Sequence, residues 1–271
     1  MSDEISRERR PSFLRTWFLF DSVLGALILR ELQGRYGRQN VGFLWVVFEP
    51  LLLASVVTTI HATQKHSFGA SSSIQPFAFA VTGYCLLIIF RSNFGRAVSA
   101  LPEAMPLLYH SQITPTDVML ARVICDTLGA LMSFVILMTF GILIGLAEFP
   151  HRPLYLFLSI AELTTWSFGL ALVVAAYSHR YHVIHNLVPP ITYFSFPLSG
   201  AFFTMSFLPP WAREYMAWNP MAGMFETARY GMFELASPDY MFPGYVIAHC
   251  MLSVYWGLFE IRRARKEIHV V

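Results

Sequence analysis

The segment RELQGRYGRQNVGFLWVVFEPLLL, residues 30–53, passes without a break from a charged, glycine-containing stretch into a long apolar one. Arg30, Arg35 and Arg38 all precede the apolar run that begins at Val41. Basic residues collect at the cytoplasmic ends of membrane spans, and amphipathic helices lie in the headgroup region. The segment therefore predicts a basic helix on the membrane surface that turns into a membrane-spanning helix.

The composition of the whole chain is that of a polytopic membrane protein. Of the 271 residues, 55% are apolar and only 13% are charged, and the mean hydropathy is +0.51. A soluble domain of this length would expose too much apolar surface. The formal net charge of +2 gives no reason to expect a nucleic-acid partner. Cys85, Cys125 and Cys250 lie in apolar stretches, so we expect neither a disulfide framework nor a metal site.

Six apolar stretches are long enough to cross a hydrocarbon core, which needs about 20 residues. The predicted spans are residues 41–60, 77–95, 119–146, 154–177, 183–205 and 245–259. An earlier run, 16–29, is shorter and has its apolar residues at steps of three or four, which predicts an amphipathic interfacial helix. The predicted fold is an all-α membrane protein. Residues 1–40 form its cytoplasmic N-terminus and interfacial helix, and residues 41–271 form its six-span transmembrane domain.

The positions of Lys and Arg predict the orientation, because these residues favour the cytoplasmic side. With the N-terminus inside, the basic cytoplasmic segments are residues 1–40, 91–122, Arg180 and the residues after 259. The four basic residues left outside are Lys65, Arg152, Arg213 and Arg229. Both termini are therefore predicted to be cytoplasmic. The two long loops, 101–118 inside and 206–244 outside, are where we expect partners and substrate to make contact.

The cytoplasmic loop 101–118 has an apolar and aromatic centre. Pro102 and Pro106 predict the end of the preceding helix, and Pro115 predicts the start of the next one. The side chains of the central cluster are Met105, Leu107, Leu108, Tyr109 and His110. The cluster predicts either a short helix that docks into a groove of a partner protein or an ordinary turn in the headgroup region.

The outer loop 206–244 predicts two short helices, neither of them long enough to span. Pro209-Pro210 precedes the first, and Asn219-Pro220 offers an N-cap followed by proline at the first helical position of the second. The two helices either rest on the outer surface or re-enter the membrane. Glu226 and Arg229 are placed to pair on one helix face, as a gating element or as an exposed ion pair of little consequence.

Carboxylates also occur within the predicted spans, where each one normally points inward, finds a partner or carries a proton. Glu49 precedes Pro50, so it either has a structural role, in capping backbone groups freed by a kinked helix or in bonding to a neighbouring helix, or lines a channel. Asp126 follows Arg122 closely and is interpreted as structural, near the inner interface. Glu162 lies in the outer half of the fourth predicted span and has no partner evident from the sequence.

Aromatic residues make up 15% of the chain. Sugars stack their C–H faces on aromatic rings and bond their hydroxyls to the polar edges of Tyr and Trp. Aromatic residues are equally typical of membrane belts and packed cores. The side chains predicted to be placed along a sugar path are Trp45, Tyr84, Phe90, Trp166, Tyr193 and Phe196.

Several segments resemble the membrane subunits of ABC-2-type transporters that export capsular polysaccharide. The resemblance runs from about residue 30 to 259, and its most specific segments are RELQGRYGRQNVGFLWVVFEP, VTGY (81–84), LLYH (107–110) and PLSGAFF (197–203). It implies an inner-membrane homodimer of permeases bound to two ATP-binding cassette subunits. Further implied partners are periplasmic and outer-membrane polysaccharide export proteins. In such a family, loop 101–118 couples the permease to its ATPase, and residues 206–244 form gating helices.

The chain has no GxxxxGK[ST] phosphate loop, so ATP and Mg are expected on the partner subunit and no cofactor in this chain. The predicted function is transport and not catalysis, with a lipid-linked polysaccharide as substrate. Arg30, Arg35 and Arg38 either bind the phosphate of its anchor or hold the helix to anionic membrane lipid. Alternatives are a permease for O-antigen or teichoic acid, a secondary transporter, and a membrane-bound glycan-modifying enzyme.

Overall fold

The structure is a computed structural model that describes residues 13–36, 41–63, 75–108 and 113–268. Within these ranges the chain is helical and contains no strand. The elements are α1 (Phe13–Tyr36), α2 (Val41–Thr63), α3 (Pro76–Leu108), α4 (Pro115–Leu143), α5 (Pro153–Arg180), α6 (Val183–Leu198), a 3₁₀ turn (Met205–Phe207), α7 (Pro210–Ala217), α8 (Pro220–Met232) and α9 (Pro243–Ile268).

Four of these helices, α3, α4, α5 and α9, are long and apolar enough to cross a membrane. They correspond to the predicted spans 77–95, 119–146, 154–177 and 245–259. The described part of α2 contains a shorter apolar helix, Val47–Thr59. The all-helical membrane class is thus confirmed, whereas the spans at 41–60 and 183–205 stay predictions.

Helix α6 is shorter than the sequence predicts. It has 16 residues and ends at Leu198, seven residues before the predicted boundary at 205. Pro197 weakens its last turn, and Gly200 adopts a φ of 81°, a left-handed conformation that favours glycine and stops a helix. At 1.5 Å per residue, α6 is about 24 Å long, less than the roughly 30 Å of a hydrocarbon core.

The expected break at Pro102 and Pro106 is wrong, because α3 continues to Leu108 with both prolines inside it. Proline at position 102 removes the helical hydrogen bond to the carbonyl of Val98. The Ser178 hydroxyl of α5 donates to that carbonyl over 3.2 Å and so satisfies it. A contact from a neighbouring helix therefore lets α3 extend well beyond the predicted loop boundary at residue 101.

Helix α3 is at the centre of the molecule and packs against α2, α4, α5 and α6. Among the described helices, α5 and α9 have the most extensive contact. A Cβ atom added at Gly169 would lie 2.4 Å from the backbone carbon of Ser253, and one added at Gly257 would lie 2.5 Å from the carbonyl oxygen of Gly169. Small residues allow such close backbone approach between membrane helices.

Local signals set the starts of two helices as predicted. Helix α4 begins at Pro115 behind a capping box in which Asp117 accepts from the Thr114 amide over 2.9 Å. Helix α8 begins at Pro220, and the Asn219 side chain accepts from the amide of Met221 over 3.0 Å.

Candidate functional site

Three helices bring a group of aromatic and charged side chains together beside α3. The members of this group, here called the Arg91 cluster, are Glu49 of α2, Tyr84 and Arg91 of α3, Tyr193 and Phe196 of α6, and Phe202 just after α6. Helix α3 places Tyr84 and Arg91 on one face, since residues seven apart are two turns apart.

The aromatic part of the cluster is closely packed. The rings of Phe196 and Phe202 stack with their centroids 4.6 Å apart. Tyr84 meets Phe196 edge to face at 6.4 Å and Phe202 at the same distance. These are the geometries that aromatic pairs prefer. Phe202 was not among the predicted path residues, although it lies within the PLSGAFF segment quoted above.

The polar part of the cluster is a triad of Glu49, Tyr84 and Arg91. The Tyr84 hydroxyl donates to Glu49 Oε1 over 2.5 Å and accepts from Arg91 Nη1 over 3.3 Å. Arg91 Nη1 lies 3.7 Å from Glu49 Oε1. The Arg91 guanidinium also lies over the ring of Tyr193, 5.9 Å from its centroid. Glu49 therefore has partners on a neighbouring helix and is itself partly exposed, so both interpretations of its role stay predictions.

Arg91 is not among the site residues predicted above, where it counts only as one of the basic residues of segment 91–122. In the structure it lies on α3 equally far from Pro76 and Pro106, the two ends of the apolar span. A charged side chain in the middle of a span is costly and commonly functional. Because α3 continues past Pro102, position 91 is central in the helix, whereas it is near one end of the predicted span 77–95.

The other predicted aromatic residues lie elsewhere. Phe90 stacks on Trp166 at 5.4 Å and on Phe94 at 5.2 Å, and only 4% of Phe90 is exposed. This second stack belongs to the packed core between α3 and α5. Trp45 is 57% exposed and contacts Phe48 at 6.1 Å. The structure thus brings three of the six predicted path residues together.

Glu162 lies apart from the cluster, between α5 and α9. Its side chain is buried, and its carboxyl oxygens make no hydrogen bond to the residues that the structure describes. The Cys250 thiol donates to the backbone carbonyl of Glu162 over 3.3 Å. Both residues border an apolar groove of about 490 Å³.

Glu226 and Arg229 pair as predicted, with 2.9 Å between Oε1 and Nη1, but the expectation of an exposed pair is wrong. Both side chains are buried. Glu226 also accepts from the Met205 amide over 2.8 Å, and Arg229 donates to the carbonyl of Gly200. Burial lowers the pKa of Arg229 from its ordinary value, and the Glu226 carboxylate opposes that change. The pair ties α8 to the turn that follows α6.

A charge network joins α1, α3 and α4 at the opposite end of the molecule. Glu31 of α1 lies 3.6 Å from both Arg96 and Arg122. Arg96 also pairs with Asp126, and Arg122 pairs with Glu103 over 2.7 Å. Asp126 therefore has a structural ion-pair partner in Arg96.

Several predicted residues of this end fall partly or wholly outside the described parts of the structure. Met105 is exposed in the last turns of α3, and Leu107 and Leu108 belong to that helix, although their side chains are not described. Tyr109, His110 and Arg38 lie outside the described residues. Of the remaining candidate arginines, Arg30 is exposed on α1, and the side chain of Arg35 is not described. The coupling and anchor assignments stay predictions.

The helices define a polytopic, all-helical membrane protein, and the Arg91 cluster places a charged group midway along one of its long apolar helices. Residues 22–233 match the ABC-2 type transporter family, and the chain belongs to that family. The resemblance seen in the sequence is thereby confirmed.

Relatives match over almost their whole length. The chain is 31% identical over 259 residues to the capsule polysaccharide export inner-membrane protein CtrC of Neisseria meningitidis serogroup B (strain ATCC BAA-335 / MC58), covering 96% of this chain and 97% of CtrC. It is 27% identical over 259 residues to the protein of the same description, BexB, of Haemophilus influenzae, with the same coverage. It is 24% identical over 246 residues to the polysialic acid transport protein KpsM of Escherichia coli, covering 89% and 93%.

Proposed function

We propose that this chain is the membrane subunit of an ATP-driven transporter that exports capsular polysaccharide across the bacterial inner membrane. The observation that carries the proposal is the similarity to CtrC, which extends over 96% of this chain and 97% of CtrC. Similarity of that extent includes the helices that form the Arg91 cluster. A shared arrangement of spans supports a shared kind of substrate more strongly than a local motif would.

The chemistry of the Arg91 cluster suits a carbohydrate. Tyr84, Tyr193 and Phe196 offer aromatic faces, and the hydroxyls and charges around them offer hydrogen bonds. Tyr193 is 71% exposed and Phe194 is 68% exposed, so this face of α6 is open. If two copies of the chain associate around a two-fold axis, two such faces enclose one path. The working unit is accordingly a homodimer.

Energy comes from a separate polypeptide in this proposal. The sequence has no phosphate-binding loop of the GxxxxGK[ST] type. Two ATP-binding cassette subunits, which hold ATP and Mg, dock on the segment around residues 105–110. Periplasmic and outer-membrane export proteins receive the polymer on the other side. Arg30, Arg35 and Arg38 meet the phosphate of a lipid-linked substrate at the inner leaflet.

A second candidate substrate is O-antigen. The chain is 24% identical over 264 residues to the O-antigen export system permease protein RfbA of Myxococcus xanthus, covering 94% of this chain and 96% of RfbA. O-antigen and capsular polysaccharide share sugar chemistry, so the cluster suits both. The identity to RfbA is lower than that to CtrC, which favours capsule.

The test is deletion of the gene in its native host, followed by analysis of surface and intracellular glycans. We expect loss of surface capsule and accumulation of the polymer inside the cell, with O-antigen on the surface unchanged. Reintroduction of the wild-type gene should restore capsule. Loss of O-antigen with intact capsule would replace the first candidate with the second, and intact surface glycans of both kinds would refute the proposal.

A tagged copy tests the partner. Purification of the tagged chain in mild detergent should bring down a protein with a GxxxxGK[ST] loop, in about equal amount. If the tagged chain purifies alone in several detergents, without an ATP-binding protein, that result would argue for a transporter driven by an ion gradient.

A further inference from the structure

Arg91 uses little of its hydrogen-bonding capacity. A guanidinium has five N–H donors. Within the described parts of the chain, the only hydrogen bond of Arg91 runs from Nη1 to the Tyr84 hydroxyl at 3.3 Å, and the same Nη1 is 3.7 Å from Glu49. Nε and Nη2, which lie along one edge of the guanidinium, bond to none of the described residues. The Arg91 side chain is 32% exposed.

Other arginines of the protein are held much more completely. Arg213 donates to the carbonyls of Met205, Ser206 and Leu208 and to the Tyr240 hydroxyl, at distances of 2.8–3.1 Å. Arg229 is buried against Glu226 and Gly200. Such arginines are structural, because their donors are already used. Arg91 differs because Glu49 neutralises its charge, while the edge of its guanidinium formed by Nε and Nη2 makes no hydrogen bond to the described residues.

The location of Arg91 makes that free edge costly unless something polar meets it. The residue lies midway along the apolar helix Pro76–Pro106 and within the predicted span 77–95, and an unpaired charge inside a span costs several kcal/mol. Its neighbour Tyr193 belongs to the open face of α6. The Nε and Nη2 donors point in parallel, which is the geometry that binds two oxygens of one phosphate or carboxylate.

From these observations we infer that Arg91 binds an anionic group, a phosphate or a carboxylate, of the molecule that passes the cluster, with Glu49 as its counter-ion when that group is absent. The bound anion forms two parallel hydrogen bonds with Nε and Nη2, and the Tyr84 hydroxyl holds Glu49 beside it. The inference deepens the proposed function, on which it rests. It makes Arg91 a specificity-determining residue for charged over neutral substrates.

The anionic group has two chemical sources, the phosphate of a lipid anchor and a charged sugar of the polymer. Dodecyl phosphate represents the first source, and a glucuronic-acid oligosaccharide represents the second. Dodecanol and an uncharged glucose oligosaccharide are the neutral counterparts. Binding of each probe is measured by tryptophan fluorescence with the purified full-length chain in nanodiscs, without any partner subunit.

For Arg91→Gln we expect at least a tenfold loss of affinity for one or both anionic probes and an unchanged response to the neutral ones. For Glu49→Gln the affinity should be kept or increased, because a competing carboxylate is removed. Arg263→Gln is the matched control, since Arg263 also lies 3.6 Å from a glutamate, Glu260, and over an aromatic ring, Phe259, outside the cluster. It should bind all probes as the wild type does.

Loss for dodecyl phosphate alone assigns the site to the lipid anchor, and loss for the oligosaccharide alone assigns it to the polymer. Wild-type affinity of Arg91→Gln for both anionic probes would overturn the inference, as would anionic probes that bind the wild type no better than their neutral counterparts do. If Arg91→Gln does not fold, the double variant Glu49→Gln/Arg91→Gln removes both charges and leaves no orphaned carboxylate. The same outcomes then apply to the double variant.

The binding test of this inference and the export test of the proposed function can fail independently of each other. If the wild-type gene restores capsule and the probes bind independently of Arg91, only this inference is wrong. If anion binding depends on Arg91 but deletion of the gene leaves surface glycans intact, the anion site stands and the proposed function fails.

Discussion

Arg229 and Glu226 are charges inside an apolar fold, and their partners explain how they are tolerated. Each charge has the other at 2.9 Å, and backbone groups of Met205 and Gly200 take further hydrogen bonds. The Arg229 guanidinium also lies 4.5 Å from the centroid of the Phe79 ring. A buried pair that is fully bonded contributes little by itself, whereas loss of one partner leaves a buried charge without compensation.

We therefore expect Glu226→Ala to destabilise the protein by about 3–5 kcal/mol. The midpoint of thermal unfolding in detergent, followed by fluorescence, should fall clearly. The double variant Glu226→Ala/Arg229→Met should recover most of that loss, because no orphaned charge is left. Glu148→Ala is the control, since Glu148 is an exposed glutamate whose partner His151 is 3.9 Å away. Equal unfolding midpoints for Glu226→Ala and Glu148→Ala would contradict the structural role.

At the scale of elements, the contact between α5 and α9 depends on glycine. Gly169 and Gly257 face each other so closely that the carbonyl oxygen of Gly169 lies 2.5 Å from the position of a Cβ on Gly257. That atom is backbone, so it cannot move aside by rotation of a side chain. The two helices approach at this point because no side chain separates them.

Gly257→Ala should consequently destabilise the protein by about 1–3 kcal/mol, the usual cost of overpacking. Gly244 is in the same helix with nothing within 4 Å of an added Cβ, so Gly244→Ala is a matched control. It should be neutral or slightly stabilising, because alanine favours helix over glycine by about 1 kcal/mol. The measurement is the midpoint of thermal unfolding of each variant. An unchanged midpoint for Gly257→Ala would show that α5 and α9 are less closely packed than described.

The C-terminal end of α3 is a second structural element with a testable role. Its exposed residue Met105 leads into Leu107, Leu108 and the residues that follow. Because α3 is one continuous helix from there to the Arg91 cluster, a displacement of its end can be carried along the helix to the cluster. The coupling hypothesis thus gains a physical route, from a docked partner to Arg91.

Leu108→Asp/Tyr109→Asp should abolish co-purification of the ATP-binding protein and surface capsule, because two charges would enter an apolar groove. Membrane levels of the chain should stay normal. Trp211→Asp/Tyr215→Asp makes the same kind of change on the exposed face of α7 and should leave co-purification intact. Normal association and export in the Leu108/Tyr109 variant would exclude the coupling role.

For the molecule as a whole, the parts predictable from sequence are those decided by near neighbours. Asn219-Pro220 and Pro115 start helices as predicted, because helix-start signals act over two or three residues. Features that depend on residues far away in the chain, such as the continuation of α3 past Pro102, are not predicted. Ser178 is 80 residues from the Val98 carbonyl that it satisfies.

The same distance effect governs the candidate site. Glu226 is buried by contacts with the chain 21 residues before it. Arg91 is not predicted as a site residue because its partners Glu49 and Tyr193 lie on other helices, far along the chain. The sequence predicts some of the side chains of the cluster, such as Glu49, Tyr84 and Tyr193. It does not predict that they lie together, because they come from helices in three parts of the chain.

Orientation in the membrane is the remaining property of the whole molecule, and it rests on the basic residues. Arg91 is central in α3 and is left out of this count. The N-terminal segment still carries a large excess of arginine over the outer loops, which favours a cytoplasmic N-terminus. Arg262, Arg263, Arg265 and Lys266 at the end of α9 favour the same side for the C-terminus.

We expect cysteines introduced at Ser2 and Val271, both outside the described residues, to resist a membrane-impermeant maleimide in intact cells and to react once the inner membrane is permeabilised. Ser237→Cys, in the exposed segment between α8 and α9, should react in cells whose outer membrane alone is opened. The native Cys85, Cys125 and Cys250 are buried, so background labelling should be low. Labelling at position 2 or 271 in intact spheroplasts, with position 237 protected, would invert the orientation. The basic ends of α1 and α9 would then face the periplasm, against the charge rule, and a docking role for the end of α3 with a cytoplasmic ATPase would be impossible.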